Sequence, residues 1–213
     1  MALLNEELQA YLDELIPERP ELIMEIERYA ALYHVPIMEN SGMEVLLQLL
    51  RIHRPDSILE IGAAIGYSAL RMSLALPSAK IVTVERDEER VAIALENFKK
   101  AGNSMITLVK GDALQVDVEV ASHAPFDAIF IDAAKGQYRR FFELYSAFLK
   151  AGGLMITDNV LFKGLVSAEQ IDHKRTRSLV NKIKDFNSWL VNHPDYDTVI
   201  LPVGDGIAVS KKR

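Results

Sequence analysis

Cysteine is absent from the 213 residues. That absence excludes a disulfide scaffold, a zinc–thiolate site, an iron–sulfur cluster and a cysteine nucleophile together. No run of about 18 apolar residues occurs, so no segment reads as a membrane span. Repeats, low-complexity tracts and linkers rich in Ser, Gly or Pro are missing, which argues for one domain. The five histidines form no H-E-x-x-H metal motif. Met1 to Gln9 has early acids and neither a basic nor an apolar leader region, so the cytoplasm is the expected compartment.

What is present suits a folded soluble chain: 49% hydrophobic, 25% charged, and a net charge of only -6. The charge is uneven. Through Ala134 there are 11 Lys and Arg against 22 Asp and Glu; beyond it there are 13 against 8. The basic part holds Lys135, Arg139, Arg140, Lys163 and the cluster Lys174, Arg175, Arg177, Lys182 and Lys184. Such a face can neutralise phosphates, and it equally suits a solvated helix surface.

Residues 1–55 read as helices, over Leu3–Ile16, Pro20–His34 and Ser41–His53. From residue 56 to 213 short apolar runs alternate with helical stretches. The runs are Ser57–Ile61, Ile81–Glu85, Ile106–Val109, Asp127–Ile131 and Leu154–Thr157; the helices include Ser68–Ala75, Asp87–Ala101 and Tyr138–Leu149. Runs apolar on both faces predict a parallel sheet covered on both sides. Thr198–Val203 and Ile207–Lys211 flank Gly204-Asp205-Gly206, which predicts an antiparallel hairpin at the sheet edge. The fold class is therefore α/β, a doubly wound, mostly parallel seven-stranded Rossmann-like sheet with N-terminal helices.

Five runs finish with an acid: Glu60, Glu85, Asp112, Asp132 and Asp158. In an open parallel sheet these ends share the edge where ligands bind. Gly62-Ala63-Ala64-Ile65-Gly66-Tyr67-Ser68 follows the first run as G-x-x-x-G. Ala64 replaces the middle glycine of the dinucleotide motif, which disfavours a pyrophosphate and a nucleotide-linked dehydrogenase. Glu85 is placed for a ribose diol and Asp112 for an adenine amine, so S-adenosylmethionine fits. Asp132, Asp158 and Asn159 make a hard oxygen set suited to Mg²⁺, or to Mn²⁺ or Ca²⁺. Lys135, three residues after Asp132, is a candidate general base or a surface ion-pair partner.

The segments LEIGAAIGYSALRM, IVTVE, GDA, FIDAAKGQY, TDNVLFKG and GDGIAVSKK, in this order, resemble the cation-dependent class I O-methyltransferases. That family includes catechol and caffeoyl-coenzyme A O-methyltransferases. YHVPIME, DNVLFKGLV, NHPDY and PVGDGIAVSKK resemble its bacterial tRNA 5-hydroxyuridine methyltransferase subgroup. The resemblance implies cofactor contacts by Met38, Glu60, Gly62, Gly66, Tyr67, Ser68, Glu85, Gly111, Asp112, Ala113 and Asp132. It implies metal ligation by Asp132, Asp158 and Asn159, with Lys135 as general base. It further implies a homodimer, and a tRNA anticodon loop as substrate, methylated from 5-hydroxyuridine to 5-methoxyuridine. Phe162 or Tyr138 could then stack on a base or equally pack in the core, while Trp189 reads as helix packing. A catechol-type small molecule is the alternative acceptor. Asp205 is a candidate to close the substrate pocket or merely to serve the hairpin turn.

Overall fold

A computed structural model describes residues 6–213. Residues 3–5 of the first expected helix lie outside the described residues; the rest forms α1 (Glu6–Glu14). The strands are β1 (Ser57–Ile61), β2 (Lys80–Glu85), β3 (Ile106–Lys110), β4 (Phe126–Ile131), β5 (Leu149–Thr157), β6 (Tyr196–Leu201) and β7 (Ile207–Lys212). They form one sheet in the order β3-β2-β1-β4-β5-β7-β6. Strands β1 to β5 pair in parallel, and β7 runs antiparallel between β5 and β6. The expected doubly wound sheet with its antiparallel edge hairpin is present.

Side-chain alternation divides each central strand between two apolar layers. Ile58, Ile81, Phe130 and Ile156 face one layer with α2 (Glu21–Tyr33), α3 (Asn40–His53), α4 (Tyr67–Ala75) and α5 (Glu88–Lys100). Leu59, Val82, Ile129 and Met155 face the other, with α6 (Asp117–Ala121), α7 (Tyr138–Ser146) and α8 (Lys174–Val191). Local signals agree with this plan. The Asp87 side chain caps α5 by accepting from Arg90 N at 3.0 Å, and Lys99 and Lys100 close its last turn.

Three of the boundaries that differ from expectation have a clear local cause. β5 begins at Leu149, not Leu154, because Leu149 pairs with Phe126 across a register shift and carries Gly152-Gly153 into the strand. α7 accordingly stops at Ser146. β6 ends at Leu201, since the following Pro202 has no N–H for the ladder. Among the described residues no helix is long and apolar enough to cross a membrane.

Trp189 packs as expected. With Phe186, His193 and Tyr196 it surrounds Phe142, whose ring lies 4.8 Å from Tyr196 and 5.3 Å from Trp189. This aromatic knot pins α7 and α8 against the hairpin strands. Phe142→Ala should cost about 3–5 kcal/mol in urea unfolding; a loss under about 1 kcal/mol would show that the knot does not anchor this layer.

Candidate active site

A cavity of about 650 Å³ opens over the C-terminal ends of β1, β2, β4 and β5. Strand geometry delivers its acids. Ile131 pairs with Thr157, so the next residues, Asp132 and Asp158, leave adjacent strands side by side. Their backbones are fixed: Asp132 N donates to Ile61 O and Asp158 N to Ile131 O, both at 3.0 Å. Glu85 closes β2 and Asp112 follows β3. Met38, Gly62, Tyr67, Ser68, Gly111 and Ala113 also line the cavity, as do Lys135 and Asn159.

Glu60 does not. It is fully buried beneath the loop, where Ser68 Oγ and Thr83 Oγ1 both donate to its carboxylate. The acid is one residue short of the strand end and so points into the protein, a distinction hidden in the run SILE. Its role is to hold Ser68, which does line the cavity. Burial pushes its pKa up to about 7 against the pull of the two hydroxyls.

The loop between β1 and α4 needs its first and last glycines. Gly62 has φ +105, and a Cβ there would lie 2.2 Å from Asp132 O. Gly66 has φ +83, and a Cβ would meet the Phe98 ring at 2.5 Å. The backbone can therefore run flat along the cavity floor. Glu85 is anchored against it: Oε2 accepts from Ala64 N at 2.9 Å, and Oε1 from Arg86 N at 2.9 Å and Asp87 N at 3.0 Å. Asp112 Oδ1 accepts from Leu114 N at 2.9 Å, with Arg86 beside its other oxygen at 3.3 Å.

At the opposite end stand Asp132, Asp158, Asn159 and Lys135. Burial raises the pKa of both carboxylates; for Asp158 the Asp132 charge adds to the rise, and for Asp132 the Lys135 ammonium opposes it. Lys135 Nζ donates to Asn159 Oδ1, so an internal cation already sits at this corner. Asn159 holds a left-handed φ of +57. Among the described residues no three His, Cys, Asp or Glu side chains gather as a metal cluster; this corner offers two carboxylates and one amide oxygen instead.

Several residues escaped the sequence reading. Glu39, Arg86 and Arg90 line the cavity, as does Lys163, which the sequence placed only in a basic face. Arg71, almost fully buried on α4, donates to Tyr67 Oη at 2.7 Å and pairs with Glu44 on α3. Tyr67 Oη in turn donates to Glu27 on α2 at 2.9 Å. This network fastens the N-terminal helices over the cofactor loop, and only long-range contact reveals it. Asp205, expected either to close the substrate pocket or to serve the hairpin turn, ties the turn to the segment after β5. Its carboxylate accepts from Lys163 N at 2.8 Å while it also lines the cavity.

The family model for O-methyltransferases matches residues 13–213, and the chain belongs to that family. Caffeoyl-CoA O-methyltransferase 1 of Arabidopsis thaliana is 31% identical, over 98% of this chain and 85% of that protein. Caffeoyl-CoA O-methyltransferase 2 of Eucalyptus globulus is 32% identical, over 92% of this chain and 83% of that protein. Among solved structures, a Staphylococcus aureus protein provisionally assigned as a caffeoyl-CoA O-methyltransferase superposes with a TM-score of 0.92. It is 35% identical, covering 98% of this chain and all of that one. A Podospora anserina methyltransferase bound to S-adenosylhomocysteine gives 0.85 at 27% identity, covering 99% and 97%. The fold is the class I methyltransferase fold, and the protein is an S-adenosylmethionine-dependent O-methyltransferase.

These relatives correct the expectation of a tRNA 5-hydroxyuridine methyltransferase acting on an anticodon loop: the curated relatives are caffeoyl-CoA enzymes. Among the segments behind that expectation, NHPDY lines no part of the cavity; its His193 and Tyr196 pack in the aromatic knot around Phe142. The structure also removes one of its physical supports, the stacking face of Tyr138. Lys174, Arg175, Arg177, Lys182 and Lys184 form the solvated side of α8, whose other side buries Val180, Ile183, Phe186 and Leu190. Tyr138, at 1% exposure, has no free face on which a base could stack.

Between about pH 4.5 and 7 the folded state holds a proton on Glu60 that the unfolded chain releases, so stability falls as pH rises through that window. Glu60→Gln keeps the shape and removes the titration. Urea unfolding at pH 5 and pH 8 should show a smaller loss of stability at the higher pH in the variant than in the parent. Equal losses in both would mean that Glu60 is charged throughout.

Proposed function

We propose that the chain is a cation-dependent O-methyltransferase for small phenolic acceptors with two adjacent oxygens, of the catechol or caffeoyl-CoA type. The observation that carries this reading is the oxygen corner of Asp132, Asp158 and Asn159 beside Lys135 at one end of the cofactor cavity. The names of the curated relatives support the acceptor class.

The residues divide the work along the cavity. Met38, Gly62, Tyr67 and Ser68 would hold the methionine part of S-adenosylmethionine, while Gly66, which does not line the cavity, lets the loop turn against Phe98. Glu85, locked by three backbone N–H groups, would accept from the ribose hydroxyls. Gly111, Asp112 and Ala113 would frame the adenine. Glu60 acts through Ser68.

The oxygen corner fits Mg²⁺, Mn²⁺ or Ca²⁺ by the chemistry of its donors. Two buried carboxylates side by side also need a positive partner, and Lys135 supplies one in the present arrangement. When bound, the divalent cation supplies positive charge that favours the ionised acceptor hydroxyl. Asp132, Asp158 and the Asn159 amide oxygen would hold that cation and so set the acceptor's position. Lys135 Nζ, released from Asn159 and in its neutral amine form, would be the group placed to take the hydroxyl proton. Methyl transfer then forms the O–CH₃ bond as the S–CH₃ bond breaks, leaving S-adenosylhomocysteine and a neutral ether. Orientation accounts for much of the acceleration, because the acceptor oxygen must lie in line with the sulfonium.

Asp158→Ala and Asn159→Ala should each lower turnover at least about a hundredfold, with S-adenosylmethionine affinity within about twofold of the parent. Labelled methyl transfer to catechol and to caffeoyl-CoA measures the first effect, and calorimetry the second. EDTA should abolish transfer, and added Mg²⁺ or Mn²⁺ restore it. Full activity in EDTA would sink the cation, and transfer to neither acceptor would sink the acceptor class.

A further inference from the structure

Asn159 is the unusual member of the oxygen corner. An asparagine amide is a neutral, weaker ligand than a carboxylate, and this one hangs from a left-handed backbone at φ +57. Left-handed geometry is uncommon for residues with a Cβ; asparagine tolerates it better than most, and neighbouring contacts select it over the alternatives. The carbonyls on either side of Asn159 are each gripped by a side chain from the opposite helical layer. Tyr138 Oη, on α7, donates to Asp158 O at 2.8 Å. Asn187 Nδ2, on α8, donates to Val160 O at 2.7 Å. The Val160 peptide is held at its other end too, since Val160 N donates to Gly206 O at 3.0 Å.

Both gripping groups are costly to bury. The Tyr138 hydroxyl sits on a side chain at 1% exposure. Asn187 buries its amide oxygen with no hydrogen-bond partner while its amide nitrogen serves Val160. A polar group left partly unpaired in the interior needs a compensating role. The Tyr138 and Phe186 rings, 5.5 Å apart, tie the two anchors together, because Phe186 precedes Asn187 on α8.

We infer that Tyr138 and Asn187 are positioning residues, a two-point clamp that holds Asn159 in its left-handed conformation and aims its amide oxygen into the cation corner. Within the corner the Asn159 amide nitrogen leans on Asp158 Oδ2 at 3.2 Å, which leaves Oδ1 facing the site. Loosening the clamp frees the Asn159 peptide to relax and withdraws one ligand, while the cofactor loop between β1 and α4 is untouched. The clamp therefore controls cation affinity separately from cofactor affinity. The inference rests on the cation reading of this corner.

Tyr138→Phe removes only the hydroxyl, and Asn187→Ala removes the second anchor. Mn²⁺ binding to the whole protein, followed by the paramagnetic resonance of free Mn²⁺, should weaken by about tenfold in each variant. S-adenosylmethionine affinity, read by calorimetry, should stay within about twofold. Catechol methylation should fall at limiting Mn²⁺ and return to the parent rate at saturating Mn²⁺, which a merely structural defect would not allow. Unchanged Mn²⁺ affinity in Tyr138→Phe would overturn the clamp alone, as would parallel losses of Mn²⁺ and cofactor affinity. If the parent binds Mn²⁺ no better than Asp158→Ala does, the cation reading falls and the clamp with it.

Discussion

The parallel pairing of β4 with β5 is the constraint from which the site follows. Its register sets Ile131 against Thr157, so two acids emerge together at the edge where the sheet has no further hydrogen bonds to offer. Each carboxylate is driven toward its neutral form by burial, and Asp158 also by its neighbour's charge. Such a pair is unfavourable unless a cation compensates it. Lys135 does so through Asn159 in the present structure, and the corner has the donor chemistry for a divalent ion. The central sheet therefore holds two charges close together where they serve binding at a cost in stability.

Around this corner the two helical layers do different work. The layer with α2, α3 and α4 shapes the cofactor end. Arg71, Glu44, Glu27 and Tyr67 join those helices through a buried network, and Glu60 supports Ser68 from below. The layer with α7 and α8 shapes the acceptor end, where Tyr138 and Asn187 grip the segment after β5 and the β6–β7 turn supplies Asp205 and Gly206 O. In the proposed reading, cofactor and acceptor lie against separate walls of one cavity.

The sheet was legible because fully buried parallel strands leave continuous apolar runs, and each run ended close to where its strand ends. Local order carried that much. Strand ends softened where glycine entered, as at Gly152-Gly153 in β5, because composition there imitates a turn. The motif residues were legible for a different reason: their chemistry is written in residue type and spacing. Spacing alone misled in one case and left another open. Glu60 resembles the other edge acids yet points inward, and Tyr138 resembles a stacking surface yet is sealed between helices. A charge count on α8 left a phosphate-binding face and a solvated helix surface both open, and the basic residues lie on the solvated side of that helix.

The chain by itself determined the α/β class, the family, and the identity of the acids and glycines that line the cavity, because these depend on local pattern and on residue chemistry. Only the tertiary structure decided which acid serves as a buried support, how Arg71 binds the N-terminal helices to the cofactor loop, and what enforces the backbone of Asn159. Those contacts join residues far apart in sequence, Tyr138 to Asp158 and Asn187 to Val160 among them. Their geometry exists only once both faces of the sheet are covered.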